Sequence, residues 1–289
     1  MIKRGINMNT RLHVGILSVT AVLCIAGLAF SQEPAAGQGK GQGKGQAQAK
    51  GKGGGRGGPV APTGPTPRMP DGKPDLSGLW FRPYTPNMAS GPAKDTRQGD
   101  PTGPKELPYT AAYKAKWDAY KPDDGDYTGA CLPFGLMRSM NSPDPIQFMQ
   151  HDNFMALLYE QNTWFKLIPI DGRPHAKNID PTWFGDSVGH WEGDTLVVHT
   201  NNFNGKTRLD TAGHPHSDAM ELTERFTRTD LGHMSYEVMV HDPKAFTEDW
   251  GNKRTFTLRT DTQIMEYSCE ENNKSLWEGR IKVPKYDEQ

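Results

Sequence analysis

Alternation of apolar and polar side chains is clearest from Met234 to His241. Met234, Tyr236, Val238 and Val240 take one set of alternate positions, and Ser235, Glu237, Met239 and His241 take the other. A period of two marks a strand with one buried face. Similar short runs at 146–150, 154–160, 163–170, 187–191, 195–200, 220–228, 253–259 and 263–269 predict further strands, and Gly78-Leu79-Trp80 heads another short one. The stretch from Asp95 to Pro145 is irregular and holds one predicted helix, Thr110 to Tyr120, which wraps the outside.

The connections alternate in length. Gln161-Asn162, Glu192-Gly193-Asp194, Thr229 to His233 and Thr260-Asp261-Thr262 are hairpin-sized, whereas Asp171 to Asp186, Asn201 to Ala219 and Asp242 to Gly251 are long. Antiparallel strands reverse at every connection, so the long ones are expected to share one end. Many short strands at regular spacing predict an all-β fold, an antiparallel up-and-down (calycin-like) β-barrel of about 8–10 strands with one peripheral helix. The shared mouth then holds His175, Asp186, Asp210, His214, His216, Asp218 and Trp250.

Composition divides the chain in three. Lys3, Arg4 and Arg11 precede an apolar run from Val14 to Phe30, the pattern of a signal peptide over residues 1–31, which places the mature protein in the periplasm or outside the cell. Residues 32–73 are read as a disordered linker, first rich in Gly, Gln, Ala and Lys and then in Pro. Its basic part is a candidate for contact with an anionic envelope surface. Residues 74–289 form one domain with 23 Lys and Arg against 32 Asp and Glu, an acidic balance that argues against nucleic acid. Cys131 and Cys269 are the only cysteines beyond the signal, and in an exported chain they are expected to form a disulfide.

Several groupings suggest chemistry. Gly185-Asp-Ser-Val-Gly189 has the spacing of a nucleophile elbow, but Ser187 opens a strand that leads into a hairpin instead of a helix. His214-Pro-His216 with Glu221 fits part of a cupin metal motif, yet the rest of that motif is missing, so no metal is expected and the cofactor is unknown. His216 with Asp210 or Asp218 is the favoured acid–base pair. The alternative is that His216 and Ser217 brace the loop through backbone hydrogen bonds. Arg173 and Arg225 are candidate donors to an anionic ligand, with ion pairs as the alternative. Trp183 and Trp250 are candidate stacking surfaces, with a core role as the alternative.

The blocks Pro74-Asp-Leu-Ser-Gly-Leu-Trp80, Asp171-Gly-Arg-Pro-His175, Trp191-Glu-Gly-Asp-Thr-Leu-Val-Val198, Pro215-His-Ser217 and Thr223-Glu-Arg-Phe226 resemble those of a large uncharacterised family of exported bacterial proteins. Gly78-Leu79-Trp80 also resembles the lipocalin entry strand, where a Trp closes one barrel end. The family resemblance implies export but no particular activity. Three readings follow: binding of a small molecule at the mouth, a hydrolase, lyase or isomerase using a His/Asp pair there, and a structural envelope protein.

Overall fold

The computed structural model describes residues 60–95 and 97–282, so the signal segment and the linker as far as residue 59 lie outside the described part. Nine strands pair in one antiparallel sheet: β1 (Gly78–Phe81), β2 (Ile146–Gln150), β3 (Phe154–Tyr159), β4 (Phe165–Pro169), β5 (Asp186–Glu192), β6 (Thr195–Asn201), β7 (Glu221–Arg228), β8 (His233–His241) and β9 (Trp250–Arg259). Their order is β4-β3-β2-β1-β9-β8-β7-β6-β5. The fold is therefore all-β. The strand expected over 263–269 does not form, because β9 is already paired on both sides, by β8 and by β1 through Leu79↔Arg259. Met265 and Tyr267 are left exposed.

The sheet curls but does not close into the expected barrel. No ladder joins β4 to β5 among the described residues. Side chains cross that seam instead: Lys166 Nζ on β4 donates to Thr200 Oγ1 on β6 at 3.1 Å. Ile168 and Ile170 press on Gly189, where an added Cβ would meet Ile170 Cγ2 at 2.9 Å. Nine is an odd number, so β4 and β5 run the same way and the chain between them must cross from one end of the sheet to the other. This corrects the expectation of a common end for all long connections. Those after β6 and β8 do share an end, with the long stretch between β1 and β2, while the connection after β4 starts at the opposite end and climbs to meet them. The short β3–β4 turn also lies at the long-loop end.

Trp80, Phe148, Phe226, Tyr236 and Phe256 fill the inner face, each almost wholly buried. Phe148 meets Phe226 edge-on at 5.6 Å, and Tyr236 stacks on Phe256 at 5.0 Å. The predicted helix forms as α1 (Ala111–Ala119) on the outside, with no buried residue. A second helix, α2 (Leu136–Asn141), corrects the expectation of a single peripheral one, for all six of its residues are buried. Arg82 Nη1 and Arg254 Nη1 donate to its C-terminal carbonyls at Ser139 and Met140, the end where a helix dipole favours cations. A short third helix, α3 (Lys274–Trp277), follows the segment carrying Cys269, which is disulfide-bonded to Cys131.

Residues that composition placed in the linker pack on the sheet. Leu231 N donates to Gly64 O at 2.9 Å, Thr66 Oγ1 donates to Arg228 O at 3.1 Å, and Arg68 forms a two-pronged pair with Asp194. The end of β7, the β7–β8 turn and the β5–β6 turn supply the partners, which the composition of the linker could not reveal. Deleting residues 1–67 is expected to remove about 1–2 kcal/mol, at roughly 1 kcal/mol for each lost hydrogen bond, and to lower Tm by several degrees in a thermal melt. An unchanged Tm would show that these contacts contribute nothing. Among the described residues no helix is long and apolar enough to cross a membrane.

Candidate functional site

At the long-loop end, four side chains form one hydrogen-bonded chain. His175 Nδ1 donates to Asp186 Oδ2 at 2.7 Å, His175 Nε2 lies 2.8 Å from His199 Nδ1, and His199 Nε2 lies 3.3 Å from Glu221 Oε2. Ala176 N adds a second donor to Asp186. Strand register builds the cluster, since Asp186 opens β5, Glu221 opens β7, and His199 stands near the end of β6 between them. His175 and Glu221 border an open cleft of about 380 Å³ with Asn178, Asn201, Asn202 and Asp218.

His199 was not singled out by sequence reasoning, which searched the connections and overlooked strand ends. The available signal was its outward place in β6, between buried Val198 and Thr200.

The favoured acid–base pairing of His216 is not what forms. Asp210 pairs with His214, whose Nδ1 donates to Oδ2 at 2.7 Å, and the same carboxylate accepts from the backbone of Met88, Gly213 and His214. Burial opposes its ionisation, but His214 and these N–H groups outweigh burial and hold its pKa below the usual value. Gly213, at φ +96°, makes the tight return possible, and a Cβ there would strike the Tyr120 ring at 2.3 Å. Asp218 is exposed and paired with Lys244 at 2.7 Å, which lowers its pKa.

His216 is buried with both nitrogens engaged: Nδ1 donates to Ser217 O at 2.8 Å, and Nε2 accepts from Thr207 Oγ1 at 2.6 Å. Burial pushes its pKa down, so it stays neutral. These are the contacts of a brace. His216→Ala is expected to cost about 1–3 kcal/mol, read by urea unfolding, because Thr207 and Ser217 lose their partner. A variant as stable as the parent would remove that role. His214 and His216 point to different partners, so the cupin-like fragment does not converge.

Other candidates lie apart. Arg173 pairs with Asp171 in its own turn at 2.5 Å, and Arg225 faces outward from β7 to Glu192 at 2.9 Å, so neither is aimed at the cleft. Trp250 is core, packed edge-on against Phe246 at 5.3 Å. Trp183 is half-buried within the connection from β4 to β5, beside the bridge of Thr182 to Phe203. Among the described residues no group of three His, Cys, Asp or Glu side chains is placed to hold a metal ion.

A buried polar network inside the sheet was also missed. Lys166 Nζ lies 3.8 Å from Glu224 Oε2, and Tyr236 donates to the other Glu224 oxygen at 2.9 Å. Ser187 bonds Thr200, the acceptor of Lys166, at 2.7 Å, which makes Ser187 part of the interior instead of a nucleophile. Burial lowers the Lys166 pKa to about 8 and raises that of Glu224.

The chain matches no protein-family model and no curated protein.

Proposed function

We propose that this is an exported protein, of the family its motif blocks resemble, that binds a small polar molecule in the cleft bordered by His175 and Glu221. The single observation that carries the reading is the Asp186–His175–His199–Glu221 chain, whose His175 and Glu221 border that cleft. An ordered array of donors and acceptors suits a ligand rich in hydroxyl, amide or carboxylate groups. Asn178 and Asn201 widen the same polar wall. The interior of a calycin-like barrel is the usual ligand chamber, but here aromatic rings fill the inner face, which favours the rim. Strand order supports that fold assignment, since every strand pairs with its neighbour in the chain except across the β4–β5 seam.

The apolar run at residues 14–30 supports export, and the basic residues of 35–58 suit contact with an anionic envelope surface. The test is native mass spectrometry of protein purified from its own host, compared with a His199→Ala variant. A bound mass carried by the parent and lost in a variant of unchanged Tm supports the reading. An adduct unchanged in the variant, or no adduct in any preparation, overturns it.

A further inference from the structure

The Asp210–His214 pair lies outside the His175 cleft. It borders a separate one of about 150 Å³, lined also by Leu107, Tyr109, Trp117, Lys105, Glu106 and Lys114. At roughly 30 Å³ per water, that is room for an acetyl-sized group and one water. Three features fix the ring. Asp210 takes the Nδ1 proton at 2.7 Å, Trp117 stacks on its face with centroids 4.1 Å apart, and Tyr109 stands further off at 6.3 Å. In the neutral ring this leaves Nε2 as the open nitrogen, and it accepts no hydrogen bond from the described residues.

A brace for the turn would not need this arrangement, because the backbone N–H groups of Met88, Gly213 and His214 already hold Asp210. A fully buried carboxylate that sets the tautomer of a histidine whose other nitrogen is open is the arrangement of a general base.

We propose that His214, oriented by Asp210, is a general base for hydrolysis of small esters whose acyl group enters this cleft. Nε2 takes a proton from water while the water oxygen bonds to the carbonyl carbon and the carbonyl electron pair moves onto its oxygen. Lys105 and Lys114 border the cleft as cations for that oxyanion. Lys114 pairs with Asp118 at the exposed surface, where an ion pair holds a side chain only weakly. Charge gathering on the imidazole meets Asp210 at one edge and the Trp117 face. Collapse restores the C=O bond and breaks the ester C–O bond, and the imidazolium returns its proton to the departing alkoxide. One water is consumed, and a carboxylic acid and an alcohol are released.

The test uses the intact protein with 4-nitrophenyl acetate as probe. The parent is expected to exceed equimolar free imidazole by about 10²-fold or more, and His214→Gln to lose that excess. Asp210 acts as a positioning residue. Asp210→Asn should lower kcat by about 10²–10⁴-fold with KM within about twofold, because the tautomer is lost while the cleft remains. Turnover at the free-imidazole rate, or retained in His214→Gln, overturns the proposal. Should either variant fail to fold, diethyl pyrocarbonate treatment of the parent with peptide mass mapping decides. Activity lost in step with acylation of His214 supports the base, and activity that survives that acylation, or is lost without it, overturns it.

Discussion

Lys166→Met is expected to destabilise the protein by about 3–5 kcal/mol, because it leaves Glu224 buried with Tyr236 as its hydrogen-bond donor but without its ion-pair partner. The double variant Lys166→Met, Glu224→Gln should recover most of that loss. It removes both charges together and keeps an acceptor for the Tyr236 hydroxyl, and buried ion pairs often gain little over neutral groups of similar volume. Urea unfolding of the parent, the single and the double variant forms a cycle that isolates the pair. A single variant as stable as the parent would show that Glu224 is already neutral and that Lys166 contributes nothing to it.

The pH dependence gives a second reading of the same pair. The folded pKa of Lys166 is pushed down to about 8, below an unfolded value of about 10.4, so between these the unfolded chain binds more protons than the folded one. The contribution of Lys166 to stability is therefore fully present above about pH 10.4 and is lost as pH falls towards 8. Glu224 has the opposite sign. Its raised pKa contributes stability at acid pH that fades as pH climbs above the ordinary carboxylate range. Tyr159 and Tyr236, whose pKa burial raises, ionise near pH 10 only in the unfolded chain and add their own slope there, so the informative quantity is the slope of the parent minus that of Lys166→Met. Equal slopes would place the Lys166 pKa near its ordinary value.

This network shows what the chain discloses and what it withholds. In Phe165-Lys166-Leu167, side-chain polarity alone puts Lys166 outside and its neighbours inside. The structure does the reverse, with Phe165 65% and Leu167 57% exposed and Lys166 5%. Ile168 and Ile170 are in phase with Lys166 and carry it inward, so the phase of the whole strand overrides the preference of one residue. Strand existence was legible for the same reason: alternation is a property of many residues at once, and eight of the predicted runs and the strand at Trp80 are present. Helix α2 was not legible, since six residues all buried have no polar face to mark a period. The ends of the sheet followed from connection lengths except at the β3–β4 turn and across the β4–β5 seam, where the number of strands decides direction and only pairing reveals that number. His216 stood out by residue type, but its partners are Thr207 and a backbone carbonyl, which no spacing rule could single out.

Reduction of the Cys131–Cys269 bond is expected to lower stability by about 2–4 kcal/mol and Tm by roughly 10 °C. The crosslink spans 138 residues, and loop-closure entropy alone sets a ceiling of about 5 kcal/mol for a loop of that length. The full value is not expected, because the native state also relaxes. The C-terminal segment is held by few contacts: Met265 N to Glu160 Oε2 at 2.9 Å, Asn273 Nδ2 to Gly129 O at 3.3 Å, and a helix α3 with no buried residue. Once released, that segment gains freedom in the folded protein too, which offsets part of the entropy gained on unfolding. Two measurements separate these effects. A thermal melt with and without reductant reads the net loss, while limited trypsin digestion reads the segment. Cleavage at Lys274 and Arg280 should accelerate after reduction, with the strands still protected. A Tm that does not move on reduction would mean that the freed segment recovers all the entropy the bond had removed. Loss of strand protection at the same rate as the tail would mean that the bond holds the whole sheet together.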